Sequence, residues 1–247
     1  MKVMKFGGIS LKDAAAINRV KDIISSDNDK KLIVLSAFYG VTDQLTQLVE
    51  RLKEKEYEKA EELLNKTEKT CLDIVKELKI CKNSDSYIVE RISNMRQLIH
   101  ALSILHETTD RSTDIFLSAG EKISSFVFAD FLNSSGIRSG FVDACEIMKT
   151  DSQHTKASVD MTLTEKEITK RVLPLFEHNF TVVTAGFIGS SPEGAAITLG
   201  RGGSDYSASV FSVLIKADVL EIWKDVDGIM TTDPKIVKNA QPIESLS

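Results

Sequence analysis

Two short stretches of this 247-residue sequence set a cation beside a run of glycines: "KFGGIS" at residues 5–10 and "GRGGSD" at residues 200–205. Glycine lets backbone N–H groups come close to a phosphate or carboxylate, and a helix that follows adds the positive end of its dipole. A lone Gly-Gly pair reads as an ordinary tight turn. Two such pairs, one beside Lys5 and one beside Arg201, point to anion binding. An arginine near an apolar core is costly unless its guanidinium forks onto a carboxylate or phosphate. For Arg201 the plainer alternative is an internal salt bridge to Glu121 or Asp205. Glu121, in "LSAGEK", follows a small-residue turn from which it could hold an ammonium group; the plainer reading is a solvated helix charge. "TTDPK" (231–235) is a turn that by itself specifies no chemistry.

Several chemistries are disfavoured. No GxxxxGK[ST] occurs, and "GRGGSD" lacks the third glycine of the dinucleotide fingerprint, so the phosphate grip must be of another kind. The four histidines lack metal-ligand spacing, and three cysteines without a CxxC argue for a reducing compartment without disulfides. A formal net charge of −5 disfavours nucleic-acid or anionic-membrane partners, so an anionic ligand must be met by local cations. The opening "MKVMKFGG" holds no long apolar run, and a soluble cytoplasmic protein is expected.

The elements that would carry these residues alternate in type. Residues 2–6 read as a strand and "KLIVLSA" (31–37) as a buried parallel one, with a helix between them opened by Ser10 and Asp13 in a capping-box-like pattern. Residues 43–107 are charged and helical in pattern, with a stripe of Leu63, Leu64, Cys71, Ile74, Val75 and Leu78, and read as a pair of surface helices packed on the core. A helix over 113–133 should stop at Gly136. Further expectations are a strand at 140–144, one helix from a capping box at Thr164 and Glu167 through 179, a strand at 180–190, a short hairpin at 192–200, a helix at 204–217 and a strand at 218–223. Strands alternating with helices imply a three-layer α/β domain with a mainly parallel sheet.

In chain order, "KFGGIS" (5–10), "VLSAFYGVTDQL" (34–45), "LSAGE" (117–121), "GFIGS" (186–190), "LGRGGSDYSA" (199–208) and "IWKDVDGIMTTDP" (222–234) resemble the catalytic domain of the aspartate kinases, within the amino acid kinase family. The resemblance implies an α/β/α sandwich around a mainly parallel sheet. It implies transfer of the ATP γ-phosphate to the side-chain carboxylate of L-aspartate, with Mg²⁺ held without direct protein ligation. The product would feed lysine, threonine and methionine synthesis. Carried over by position, Lys5 would neutralise the transferring phosphate, with Gly7 and Gly8 as backbone donors. Ser36 and Thr42 would line the site, Thr42 touching aspartate. Glu121 would meet the substrate ammonium, Arg201 a substrate carboxylate, and Ser204 would add a hydrogen bond. Asp205 would orient Lys5 or a Mg²⁺-bound water. Lys224, Asp225, Met230 and Lys235 would border the nucleotide. The family also suggests a homodimer through the apolar sheet-flanking helices.

The sequence departs from the common pattern. Ile9 stands where many members have Thr, Lys224 where many have Thr, Met230 where many have Tyr, and Lys235 often corresponds to Arg. Its end at Ser247 precedes a Gly-Ala-Lys-containing segment and regulatory domains usual in the family, so a shortened kinase domain spanning 1–247 is expected. Two other functions compete: another amino acid kinase, acting on glutamate, acetylglutamate, carbamate or UMP, and a fragment that binds ligand without turnover.

Overall fold

The computed structural model describes residues 1–80, 82–225, 228, 231–232, 236–237, 239–241 and 243. Five strands form one parallel sheet: β1 (Lys2–Phe6), β2 (Lys31–Leu35), β3 (Ser139–Phe141), β4 (Thr181–Ala185) and β7 (Val219–Trp223), in the order β3-β4-β2-β1-β7. A two-stranded antiparallel ribbon, β5 (Ile188–Ser190) with β6 (Ala196–Thr198), stands apart from it, so the hairpin expected at 192–200 takes its first strand from Ile188–Ser190 instead. Because side chains alternate along a strand, the sheet feeds two cores. Met4, Phe6, Ile33, Leu35 and Val183 face α1 (Ala14–Ile24), α2 (Val41–Lys53), α3 (Tyr57–Leu78), α4 (Lys82–Leu105) and α5 (Asp110–Ser134). Val3, Leu32, Val34 and Val182 face α7 (Met161–Arg171), α8 (Leu173–Glu177) and α9 (Gly203–Leu214). A short α6 (Ala144–Ile147) links β3 toward α7. This is the three-layer α/β/α arrangement with a parallel sheet.

Local chemistry sets the element ends, and in five places the structure differs from the sequence-based expectation. Residues 8–11 form a 3₁₀ turn, so Ser10 opens no helix; Asp13 caps α1 by accepting from the Ala16 amide at 2.7 Å. Asp160, not Thr164, caps α7, because the Thr164 hydroxyl is buried and accepts from the Lys149 amide at 3.0 Å. That helix also breaks at Val172, where Pro174 cannot continue the hydrogen-bond ladder. The expected strand at 180–190 turns out of the main sheet at Gly186 and Phe187, the latter at φ +69°. The segment 43–107 contains three helices rather than two, and their inner stripes join the core: Leu64 and Cys71 are wholly buried. Gly136, at φ +82°, ends α5 as expected.

Candidate active site

The carboxyl ends of β1, β2 and β4 open onto one cavity of about 320 Å³, lined by Lys5, Ser36, Thr42, Glu121, Phe187 and the turn Gly200–Asp205. Ligands of open α/β sheets bind at such strand ends. Lys5 shares a strand face with Val3, the face covered by α9. Its buried ammonium therefore meets Asp205 in the first turn of α9, Nζ to Oδ1 at 2.7 Å. Lys224, just beyond β7, approaches the other oxygen of Asp205 at 3.3 Å. Partial burial works against the Asp205 charge, but the two ammonium groups outweigh it and hold its carboxyl below the usual range. Ser36, past the end of β2, donates to Ser204 Oγ at 3.2 Å, and its own carbonyl is fixed by Ser124 Oγ at 2.8 Å.

The glycines have separate physical reasons. Gly200 and Gly202 stand at φ +77° and +79°, in the left-handed region. Gly8 is not at positive φ; its role is close approach, since a Cβ there would lie 3.2 Å from the Ala37 carbonyl oxygen. Only the short 3₁₀ turn follows Gly7 and Gly8, and α1 starts at Ala14, so no long helix dipole points at this junction.

Glu121 lies mid-way along α5, which presses onto α2 at Gly120; a Cβ at Gly120 would sit 3.0 Å from Ala37 Cβ. The result is a carboxyl only 3% exposed, whose Oε2 has no hydrogen-bond partner among the described residues. Burial raises its pKa to about 8, although the backbone amides of Glu121 and Ala37 favour the charged form. It is therefore not a solvated helix charge. Arg201 is exposed rather than set against the core, and among the described residues it has no ion-pair partner. The alternative salt bridge to Glu121 or Asp205 is not formed.

Lys224 and Asp225 line a neighbouring cleft of about 270 Å³ instead, with Phe6, Ile9, Ser10, Lys12, Arg19 and Trp223. The two clefts meet at the Lys224–Asp205 contact. Met230 and Lys235 lie outside the described residues. Phe187, Lys12 and Arg19 were missed at the level of sequence. "GFIGS" flagged Phe187 only as part of a motif, and nothing local marks Lys12 or Arg19. A larger cavity, about 440 Å³, opens at the opposite end of the sheet beside Asp27, Asp29 and Lys31. There Asp27 already neutralises Lys31 and Lys2, at 2.5 and 2.7 Å. The Lys2, Lys31 and Asp27 charges there are satisfied by one another, and we assign no chemistry to this cavity.

The amino acid kinase family model matches residues 1–247, and the chain belongs to that family. Lysine-sensitive aspartokinase 3 of Escherichia coli (strain K12) is 34% identical over 246 residues, covering 99% of this chain and 53% of the relative. The aspartokinase of Chlamydia pneumoniae is 35% identical over 246 residues, covering 99% and 52%. The crystal structure of E. coli aspartokinase III in complex with aspartate and ADP superposes with a TM-score of 0.89 at 32% identity, over 98% of this chain and 53% of that one. Isopentenyl phosphate kinase, at a TM-score of 0.51 and 16% identity, shares the fold alone. The chain spans about half the length of the curated relatives it matches.

Proposed function

We propose that this chain transfers the γ-phosphate of ATP to the side-chain carboxylate of L-aspartate. The observation that carries the reading is one cavity in which a buried carboxyl (Glu121) and a guanidinium (Arg201) without an ion-pair partner among the described residues flank the Lys5–Asp205 ion pair. Glu121 suits the substrate ammonium. Arg201, with Ser204 beside it, suits a substrate carboxylate, and Thr42 lines the same space. The E. coli relative crystallised with aspartate and ADP supports the same assignment.

The chemistry needs little from the protein beyond position and charge. A carboxylate is already ionised near neutral pH, so no general base is required. Its oxygen attacks the γ-phosphorus, the new P–O bond forms as the bond to the bridging oxygen breaks, and ADP carries away the electron pair. Lys5, paired with Asp205, would neutralise the charge on the transferring oxygens, and Gly7, beside Lys5 Nζ, would with Gly8 offer backbone amides. Lys224 and Asp225 would border the nucleotide in the adjoining cleft. Asp205, a carboxylate that lines the cavity beside Lys5, would face Mg²⁺ carried in with ATP through a bound water. When bound with ATP, Mg²⁺ would supply further charge neutralisation at the phosphate oxygens.

The acyl phosphate product would enter lysine, threonine and methionine synthesis. A cytoplasmic location and a homodimer belong to the same proposal; light scattering tests the dimer. The activity is tested by ADP release with aspartate, glutamate, acetylglutamate, carbamate and UMP as acceptors, together with hydroxylamine trapping of the acyl phosphate. Turnover and hydroxamate with aspartate are expected. Preference for another acceptor, or binding of aspartate without hydroxamate, would overturn the reading.

A further inference from the structure

Among the described residues, the two buried carboxylates are Asp114 and Glu121. Both lie on α5, seven residues and therefore about two turns apart, on one face of the helix. Glu121 lines the cavity; Asp114 does not, and it is wholly buried. A buried carboxylate persists only where donors surround it, and Asp114 has a full set. Thr198 Oγ1 donates to Oδ1 at 2.6 Å and the Thr198 amide to the same oxygen at 3.2 Å. The Thr155 amide donates to Oδ2 at 3.0 Å, and His154 Nδ1 stands 2.6 Å from Oδ2.

These donors come from both sides of the Arg201 turn. Thr198 ends β6, two residues before Gly200, and its carbonyl is held by the Ala157 amide at 3.1 Å. Leu199 is tied by its amide to the Phe187 carbonyl at 2.9 Å. On the other side, Thr155 adopts φ +66°, rare for a β-branched residue, and sets its carbonyl oxygen against Gly200, 3.2 Å from where a Cβ would stand.

We propose that Asp114 is a positioning residue: by clamping Thr155 and Thr198 it fixes the Gly200–Gly203 turn, and with it Arg201, relative to Glu121 on the same helix. One rigid element would then hold one polar group of the site directly and place the other through a hydrogen-bonded relay. The kinetic consequence rests on the reading of Arg201 as the ligand of the substrate carboxylate.

The test compares Asp114→Asn and the milder Thr198→Val with the parent in the full chain. Both should raise the KM for aspartate, Asp114→Asn by about tenfold, with the KM for ATP unchanged, since small misplacements of a binding group cost this much or more. Hydrogen–deuterium exchange should quicken at residues 199–203 while residues 34–45 stay protected. A lower melting temperature with both KM values and the exchange at 199–203 unchanged would overturn the proposal. Should Asp114→Asn not fold, Thr198→Val decides by the same criteria. If the parent phosphorylates no aspartate, the functional reading fails on its own. The clamp is then judged by exchange: faster at 199–203 upholds it, unchanged sinks it.

Discussion

At the scale of single residues, Arg201 and Glu121 make the sharpest predictions. If Arg201 forks onto the substrate carboxylate, Arg201→Lys should hurt although charge is kept, because a lysine cannot offer two parallel donors. A charged bidentate pair is worth about 1.5–3 kcal/mol, so kcat/KM for aspartate should fall roughly 10- to 150-fold, mostly in KM, with the KM for ATP nearly intact. Steady-state kinetics with melting curves check this; a lower melting temperature with an unchanged KM for aspartate would make Arg201 structural. Lys5→Ala should cost turnover roughly 10²-fold or more, the scale for one strong electrostatic stabiliser, with much less effect on aspartate affinity. Glu121 ties function to stability. Its carboxyl titrates near 8 in the fold against 4.5 unfolded. Between those values the folded state keeps a proton that the unfolded chain has released, so this contribution is full below about pH 4.5 and is lost as pH rises through 8. Glu121→Gln should therefore melt above the parent at pH 9, with the gap closing by pH 5, while its KM for aspartate rises. For the parent, the KM for aspartate should fall as pH climbs toward 8 and Glu121 ionises.

At the scale of elements, the site depends on how closely the strand ends approach the helices. Gly186, at the end of β4, packs on the first turn of α9: a Cβ there would lie 2.8 Å from Ser204 Cα. Gly186→Ala must push α9 away from the sheet, because the obstacle is backbone rather than a flexible side chain. A loss of about 1–3 kcal/mol is expected, together with a rise in the KM for aspartate, since Arg201, Ser204 and Asp205 move with that turn. Urea unfolding and kinetics on one preparation check both effects; unchanged values would mean the approach is looser than the geometry indicates. The helices α2 to α4 give a different test. Leu64 is fully buried in α3, in the core that reaches the sheet. Leu64→Ala should cost about 2–5 kcal/mol, as for any deep core truncation, rather than the few tenths of a surface hairpin.

For the whole molecule, the two cores share one sheet, and the site lies where α5 and α9 approach its carboxyl edge from opposite faces. A ligand bound there bridges both layers and should stabilise the fold by mass action. Aspartate at a hundred times its Kd should add about 2.7 kcal/mol. For a chain of this size that raises the melting temperature by roughly 5–10 °C. Scanning calorimetry with aspartate and with ADP checks it. Arg201→Lys should lose most of the aspartate shift and keep the ADP shift; an equal loss of both would mean that Arg201 serves the fold rather than the amino acid.

Much of this molecule was legible before any fold was known, for reasons that act over a few residues. Short continuous apolar runs marked the parallel strands and helical spacing most helices, and glycines marked the turns at Gly136 and Gly200. The motifs, far apart in the chain, held the residue types that line one cavity. Tertiary structure decided what depends on distant neighbours. Ser10 and Thr164 look like helix caps, yet Asp13 and Asp160 serve, because a 3₁₀ turn absorbs Ser10 and the Lys149 amide takes up Thr164. For Arg201 the residue type left open a bound anion or an internal salt bridge, and among the described residues it has no partner, while Lys5 and Lys224 share Asp205. For Glu121 the sequence left open an ammonium ligand or a solvated helix charge; it is buried, because α5 packs through Gly120 against Ala37 and Val41. Asp114 carries no local signal at all; its role rests on donors from residues 40 and 84 positions away. Caps and turns are set by groups within reach along the chain, whereas the desolvation of a charge is set by whatever the fold brings against it.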